Sequence, residues 1–140
     1  YCTLCYATFD FKRRTVALAN SGLPYPLRCR GTHNRDALHA PAQIELAGVP
    51  LGSFAGSTYD EQSFELAVGD LYVFCTDGIS EVADSLGTEF GSGRLAEVVS
   101  ASRYKTAREI VDDIFAAVQE FRGDASAVDD MTAVAVRITA

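Results

Sequence analysis

No apolar run in the 140 residues approaches the ~20 needed to span a membrane, and the opening Tyr1-Cys2-Thr3-Leu4-Cys5-Tyr6 lacks the basic flank and cleavage pattern of a signal peptide. A basic excess is missing too. Lys and Arg number 12 against 19 Asp and Glu, a formal net charge of −7, which speaks against non-specific DNA or RNA binding. There is no Gly-x-x-x-x-Gly-Lys phosphate loop, so nucleotide hydrolysis has no support. Cys2 and Cys5 form a C-x-x-C, but no second one exists and no His pair stands at zinc spacing. Three positions apart on a strand, the two thiols face opposite sides. With Cys29 and Cys75 they read as small buried residues of a reducing cytoplasm, with a redox or zinc site as the rival reading.

What is present suits a single domain over residues 1–140. Hydrophobic residues make up 48% and charged residues 22%, enough for a core and too balanced for disorder. The chain begins without Met and enters a strand-like run directly, so it is expected to be a piece of a longer protein. An acidic chain can still act on phosphate esters if metal ions supply the positive charge.

The first half reads as strands. Residues 1–9 are apolar, aromatic and Thr-rich without helical period; 10–14 are polar and basic, a hairpin loop; 15–20 alternate through Val16 and Leu18 against Ala17 and Ala19. The pattern predicts an antiparallel hairpin covered on both faces. After the Pro/Gly break at 21–26, residues 27–30 resume a short strand, and 31–39 read as a solvated loop. Residues 44–46 and 62–68 are further strand candidates, and Gly69-Asp70 is a turn signal. Leu71-Tyr72-Val73-Phe74-Cys75 is a continuous apolar run, the mark of a central strand buried on both faces. Helical spacing then appears twice, through Leu95, Val98 and Val99, and through Ile110, Ile114 and Val118. Thr106 with Glu109 forms a capping box for the second helix and Gly123 stops it. A last strand over 131–139 puts Val134, Val136 and Ile138 on one face. Strands, two helices and one strand make an α+β fold with mainly antiparallel strands.

Two acidic spots stand out by placement. Asp77 follows the most apolar strand in Thr76-Asp77-Gly78, where Gly78 is expected to allow a sharp backbone turn. Asp129-Asp130 precedes the last strand in Asp129-Asp130-Met131-Thr132. If those strands are antiparallel neighbours, Asp77 and Asp129 meet at one rim of the sheet. Close carboxylates repel, so the pair calls for a proton or a cation, and Mg²⁺ or Mn²⁺ is the natural hard partner. Asp-Gly after a strand is also a common turn, and Asp-Asp before a strand is ordinary loop chemistry, so spacing alone leaves both readings open.

The ordered motifs narrow the choice. Thr76-Asp77-Gly78-Ile79-Ser80-Glu81 after Gly69-Asp70 and an apolar strand, Glu89-Phe90-Gly91, and Asp129-Asp130-Met131-Thr132 run in sequence. Upstream of them lie Ala19-Asn20-Ser21-Gly22, Pro24-Tyr25-Pro26 and Val49-Pro50-Leu51-Gly52. Together they resemble the C-terminal part of the SpoIIE-like bacterial branch of the metal-dependent (PPM, or type 2C) protein phosphatases, over nearly the whole chain. The resemblance implies an antiparallel β-sandwich flanked by helices, with the N-terminal part of the domain missing. It also implies a two-metal Mn²⁺ or Mg²⁺ site at one edge, with Asp77 and Asp129 as ligands and catalytic residues. Asp130 takes a supporting role and Gly78 that of a positional neighbour. The implied activity is hydrolysis of phosphoserine or phosphothreonine by a metal-activated water. The implied partner is a regulatory protein of the anti-anti-sigma-factor type, and an upstream sensor domain is a further expectation.

Two departures from the family pattern matter. Its Gly-Asp-x-x-Gly-His-Gly ligand segment has no counterpart here, so the remaining ligands would lie upstream. The His often found after the Asn-Ala-Gly turn is Leu23. Rival readings are a degenerate phosphatase fold that binds a regulatory partner without hydrolysis, and a structural domain whose acids only form turns. Glu81 and Asp84 are candidates for groups supporting the ligands or for loop acids. Arg13 and Arg14 could meet substrate phosphate, although a solvated hairpin tip explains them as well. His33 and His39 read as loop histidines, and Cys75 has no His nearby in sequence to activate it.

Overall fold

The computed structural model describes residues 1–31, 40–126 and 129–140. The loop expected at 31–39, with His33 and His39, lies outside the described residues except for Gly31. Among the described residues, seven strands and three helices follow one another as β1 (Leu4–Asp10), β2 (Thr15–Ser21), β3 (Leu27–Cys29), β4 (Ala42–Gln43), β5 (Glu61–Glu65), β6 (Leu71–Cys75), α1 (Asp77–Ser80), α2 (Gly91–Ser102), α3 (Ala107–Arg122) and β7 (Ala133–Arg137). All strand pairs are antiparallel, in a three-stranded sheet ordered β1-β2-β5 and a four-stranded sheet ordered β4-β3-β6-β7.

The apolar run of β6 explains the layering. Leu71 and Val73 point to one side and pack with Ile79, Leu95, Val99, Ile110, Ile114 and Val118 beneath α2 and α3. Tyr72 points to the other side and joins Val16, Leu18, Ile44, Leu46, Leu66 and Ile138 between the two sheets. A strand apolar on both faces belongs between two layers, and β6 is buried from both. β7 repeats the division, with Ala133 and Ala135 on the helix side and Val136 and Ile138 on the sheet side. On α3, the stripe Ile110, Ile114, Val118 is buried. Thr106 accepts the Glu109 amide while the Glu109 carboxylate accepts from the Thr106 amide at 2.8 Å.

Three sequence expectations change. The strand expected at 44–46 is absent: pairing with β3 occurs at Ala42–Gln43, and Ile44 and Leu46 are buried in irregular backbone. The β1–β2 hairpin is covered on one face only among the described residues, since Leu4 and Tyr6 are 46% and 63% exposed on the other. Gly69-Asp70 is more than a turn. Asp70 is 1% exposed, and its carboxylate accepts from the Gly31 amide (2.6 Å), the Ala67 amide (3.1 Å) and the Arg28 guanidinium (3.2 Å). Arg28 also donates to the Glu65 carbonyl and lies 4.7 Å over the Phe64 ring. The group therefore ties β3 and β6 of one sheet to β5 of the other. Gly31 has to be glycine here, because a Cβ would fall closer than 3.0 Å to the Val68 carbonyl and the Asp70 amide.

Removing one partner of a buried, hydrogen-bonded ion pair leaves the other uncompensated, at about 3–5 kcal/mol. Asp70→Ala is accordingly expected to lower the unfolding free energy by about that much, read as an earlier urea midpoint; a midpoint unchanged from the parent would contradict the assignment. β1 and β7 are edge strands in their sheets. Open edges template further pairing. The 140-residue chain by itself is therefore expected to self-associate in a sizing experiment, and a monodisperse monomer would count against this.

Candidate metal centre

Antiparallel pairing of β6 with β7 runs from Leu71 opposite Arg137 to Cys75 opposite Ala133. The end of one strand and the start of the other therefore lie side by side, as the sequence pattern requires. Past the last pair, the Thr76 amide donates to the Thr132 carbonyl at 3.0 Å, and the Thr132 amide donates to the Thr76 hydroxyl at 3.0 Å. The chain then turns into α1, beginning at Asp77.

Gly78 brings the two acidic motifs into contact. A Cβ on it would stand closer than 3.0 Å to the Asp130 carbonyl oxygen, with the Asp129 Cβ 3.7 Å away. Its φ is not positive, so the expected sharp turn is not the reason for glycine. Space is the reason: the first turn of α1 lies against the Asp129-Asp130 backbone. Gly78 therefore lets the start of α1 pack directly on the Asp130 carbonyl.

Both candidate ligands are exposed. Oδ1 of Asp77 accepts the Gly78 amide at 3.0 Å, and Oδ1 of Asp129 accepts the Asp130 amide at 2.7 Å. The second oxygen of each has no hydrogen-bond or ion-pair partner among the described residues, where the ion pairs involve Asp10, Asp70, Asp112 and Asp113 instead. Two carboxylates at one rim, each half oriented by a backbone amide and half free, suit a hard divalent cation with oxygen ligands. Among the described residues no group of three or more His, Cys, Asp or Glu is placed to hold a metal.

The other candidates make contacts of their own. Asp84 organises its own loop, its Oδ1 accepting the Leu86 and Thr88 amides at 2.9 Å. Glu81 caps the C-terminus of α1. Arg14 accepts the Leu66 amide through its carbonyl, so the basic hairpin tip belongs to the end of the sandwich where β6 begins, away from Asp77. Burial pushes the Cys75 thiol up to about 12, which removes it as a nucleophile. All four cysteines are free, but the burial expected of them holds for Cys29 alone: Cys5 and Cys75 are half-buried, and Cys2, at the start of the chain ahead of β1, is exposed. Sequence reasoning passes over Thr76; the available signal is that Thr76 and Thr132 stand opposite each other one step beyond the strand pair, where Thr–Thr contacts recur.

An apolar groove of about 360 Å³ starts beside Thr76 and Thr132 and runs along Phe74, Val134 and Phe9. A larger cleft, about 810 Å³, lies around Arg28, Arg30, Gln43 and Gln62, and neither Asp77 nor Asp129 lines it.

Gly78→Ala is expected to leave the helical content unchanged while displacing the Asp129-Asp130 backbone. The measurable result would be at least a tenfold weaker Mn²⁺ affinity in the full-length polypeptide, because ligand placement is lost; unchanged affinity would mean that the close approach does not set the site.

Comparison with known proteins places the fold. The profile of the family described as stage II sporulation protein E (SpoIIE) matches residues 1–139. No curated protein matches. Among solved structures, the SiaA-PP2C domain of Pseudomonas aeruginosa superposes with a TM-score of 0.83 at 22% identity, covering 97% of this chain and 51% of that one. The phosphatase domain of the cell fate determinant SpoIIE from Bacillus subtilis, presoaked with Mn, gives 0.72 at 21% identity over 98% of this chain and 56% of its own. The RsbU and RsbW domains of Rv1364c from Mycobacterium tuberculosis give 0.70 at 21%, over 98% of this chain and 36% of theirs. The fold is therefore that of PP2C-type phosphatase domains, and the chain spans about half the length of the first two solved chains.

Proposed function

This chain belongs to the SpoIIE family of PP2C-type phosphatase domains, and on that premise we propose that it carries half of the metal site of a phosphoprotein phosphatase. In this reading Asp77 and Asp129 are metal ligands. The observation that carries it is their convergence at the paired ends of β6 and β7, each with one oxygen free of protein partners among the described residues.

The residues divide the work by position. The Asp77 and Asp129 carboxylates would hold Mn²⁺ or Mg²⁺ through their free oxygens, while the Gly78 and Asp130 amides donate to the other oxygens. Like charges at one rim disfavour each other, so the geometry favours cation binding over an empty pair. When bound, the metal would supply Lewis-acid activation of water and neutralise charge on the phosphoryl oxygens. The presoaking of the Bacillus subtilis phosphatase domain with Mn supports this choice of ion. Ligands beyond these two would come from residues outside this chain.

The substrate in this proposal is a phosphoserine or phosphothreonine on a regulatory protein, of the anti-anti-sigma-factor type. The occurrence of an RsbU domain with an RsbW domain in one relative supports a regulatory protein as partner. No helix among the described residues is long and apolar enough to cross a membrane, and four free cysteines fit a reducing cytoplasm.

Mn²⁺-dependent hydrolysis of a phosphoserine peptide by the full-length polypeptide tests the reading. Asp77→Asn and Asp129→Asn are each expected to cut the rate by more than about 100-fold, with folding intact, because each removes a charged ligand. A parent that is inert at saturating metal would hand the site to the alternative, a phosphatase fold that binds its partner without hydrolysis.

A further inference from the structure

Thr76 occupies the N-cap position of α1, with extended backbone at φ −78° and ψ 161°. A threonine in that place ordinarily turns its hydroxyl to a backbone amide of the first helical turn. Here it makes no such bond. Its Oγ1 accepts instead from the Thr132 amide, 3.0 Å away and 56 positions along the chain. The backbone supplies only half of this junction, through the Thr76 amide and the Thr132 carbonyl. Without the hydroxyl, the Thr132 amide would have no partner among the described residues, and the ladder would be held on one side only.

The location gives the hydroxyl its significance. Thr76 immediately precedes Asp77, and Thr132 closes the Asp129-Asp130-Met131-Thr132 motif. The hydroxyl bond is therefore a side-chain strut between the two candidate ligand segments, placed where the regular strand pairing has stopped. On the other side of Asp77, Gly78 lies against the Asp130 carbonyl. Asp77 is thus bracketed by two contacts to the opposite motif, one polar and one steric, although its own carboxylate is exposed.

We propose that Thr76 is a positioning residue for the metal site: its hydroxyl, bonded to the Thr132 amide, fixes the distance between the Asp77 and Asp129 carboxylates. The role rests on the metal-ligand reading of those two acids. It calls for a hydroxyl rather than for a residue of threonine's shape, which makes valine and serine the discriminating substitutions. Valine keeps the branched shape and removes the acceptor; serine keeps the acceptor and loses the methyl.

The test is Mn²⁺ binding to the full-length polypeptide, followed by electron paramagnetic resonance of the free ion, together with kcat and KM on a phosphoserine peptide. Thr76→Val is expected to weaken Mn²⁺ binding by about 10-fold or more, the usual range for groups that orient metal ligands, with KM for the peptide unchanged at saturating metal. Thr76→Ser is expected to bind Mn²⁺ within about twofold of the parent, the same hydroxyl bond being available to it. Parent-like affinity in Thr76→Val, or equal loss in valine and serine, overturns the positioning role. Should Thr76→Val fail to fold, Thr76→Ala carries the same comparison, and failure of both to fold overturns it as well, making the hydroxyl a prop of the fold. Asp77→Asn separates the two levels: if it too leaves Mn²⁺ binding unchanged, the metal-ligand reading fails and Thr76 has nothing to position.

Discussion

Five residue pairs join β6 to β7, and their register decides both what the core contains and where the acids stand. Alternate side chains of a strand face opposite layers, so a slip of one residue would turn every buried side chain of β7 to the wrong side. Val136 and Ile138 would leave the space between the sheets, and Ala133 and Ala135 would leave the helix side. The same slip would carry Asp129 along the sheet and away from Asp77. The site is therefore specified by apolar packing that lies well behind it, and its acids need no attraction for each other to be brought together.

The two ends of the sandwich treat carboxylates in opposite ways. At the end where β6 begins, Asp70 is buried and both oxygens are engaged, by two backbone amides and a guanidinium among the described residues. Such a charge is fully compensated and serves to lock the sheets together. At the end where β6 stops, Asp77 and Asp129 are exposed and each has a single backbone donor among the described residues. Side chains of one chemical type thus acquire different roles from burial and donor count. The first kind has no capacity left for a ligand; the second kind has an oxygen to offer.

Much of this is legible in the sequence, and the reasons differ by element. The doubly apolar run of β6 announces a strand between layers, and the Thr106/Glu109 capping box with the Ile110, Ile114, Val118 stripe announces α3, because local pattern alone dictates these. The convergence of Asp77 and Asp129 follows from one assumption about strand neighbours. The one-turn α1 carries too few residues for any periodicity. Asp70 looks like a turn residue because its three donors come from Gly31, Ala67 and Arg28, two of them distant in sequence. Gly78 suggests conformational freedom, yet the demand comes from the Asp130 carbonyl across the rim. Long-range contacts of this kind leave no local signature.

The strut between Thr76 and Thr132 spans 56 positions, with α2 and α3 folded between its ends. Closing so long a segment is slow compared with forming a helix, because its entropy is lost before the contact is gained. The two acids accordingly become neighbours only once β7 has taken its place beside β6. An unfolded or half-folded chain presents no paired carboxylates, so a divalent ion that prefers the pair would act as a thermodynamic reporter of the completed fold and would shift the folding equilibrium toward it.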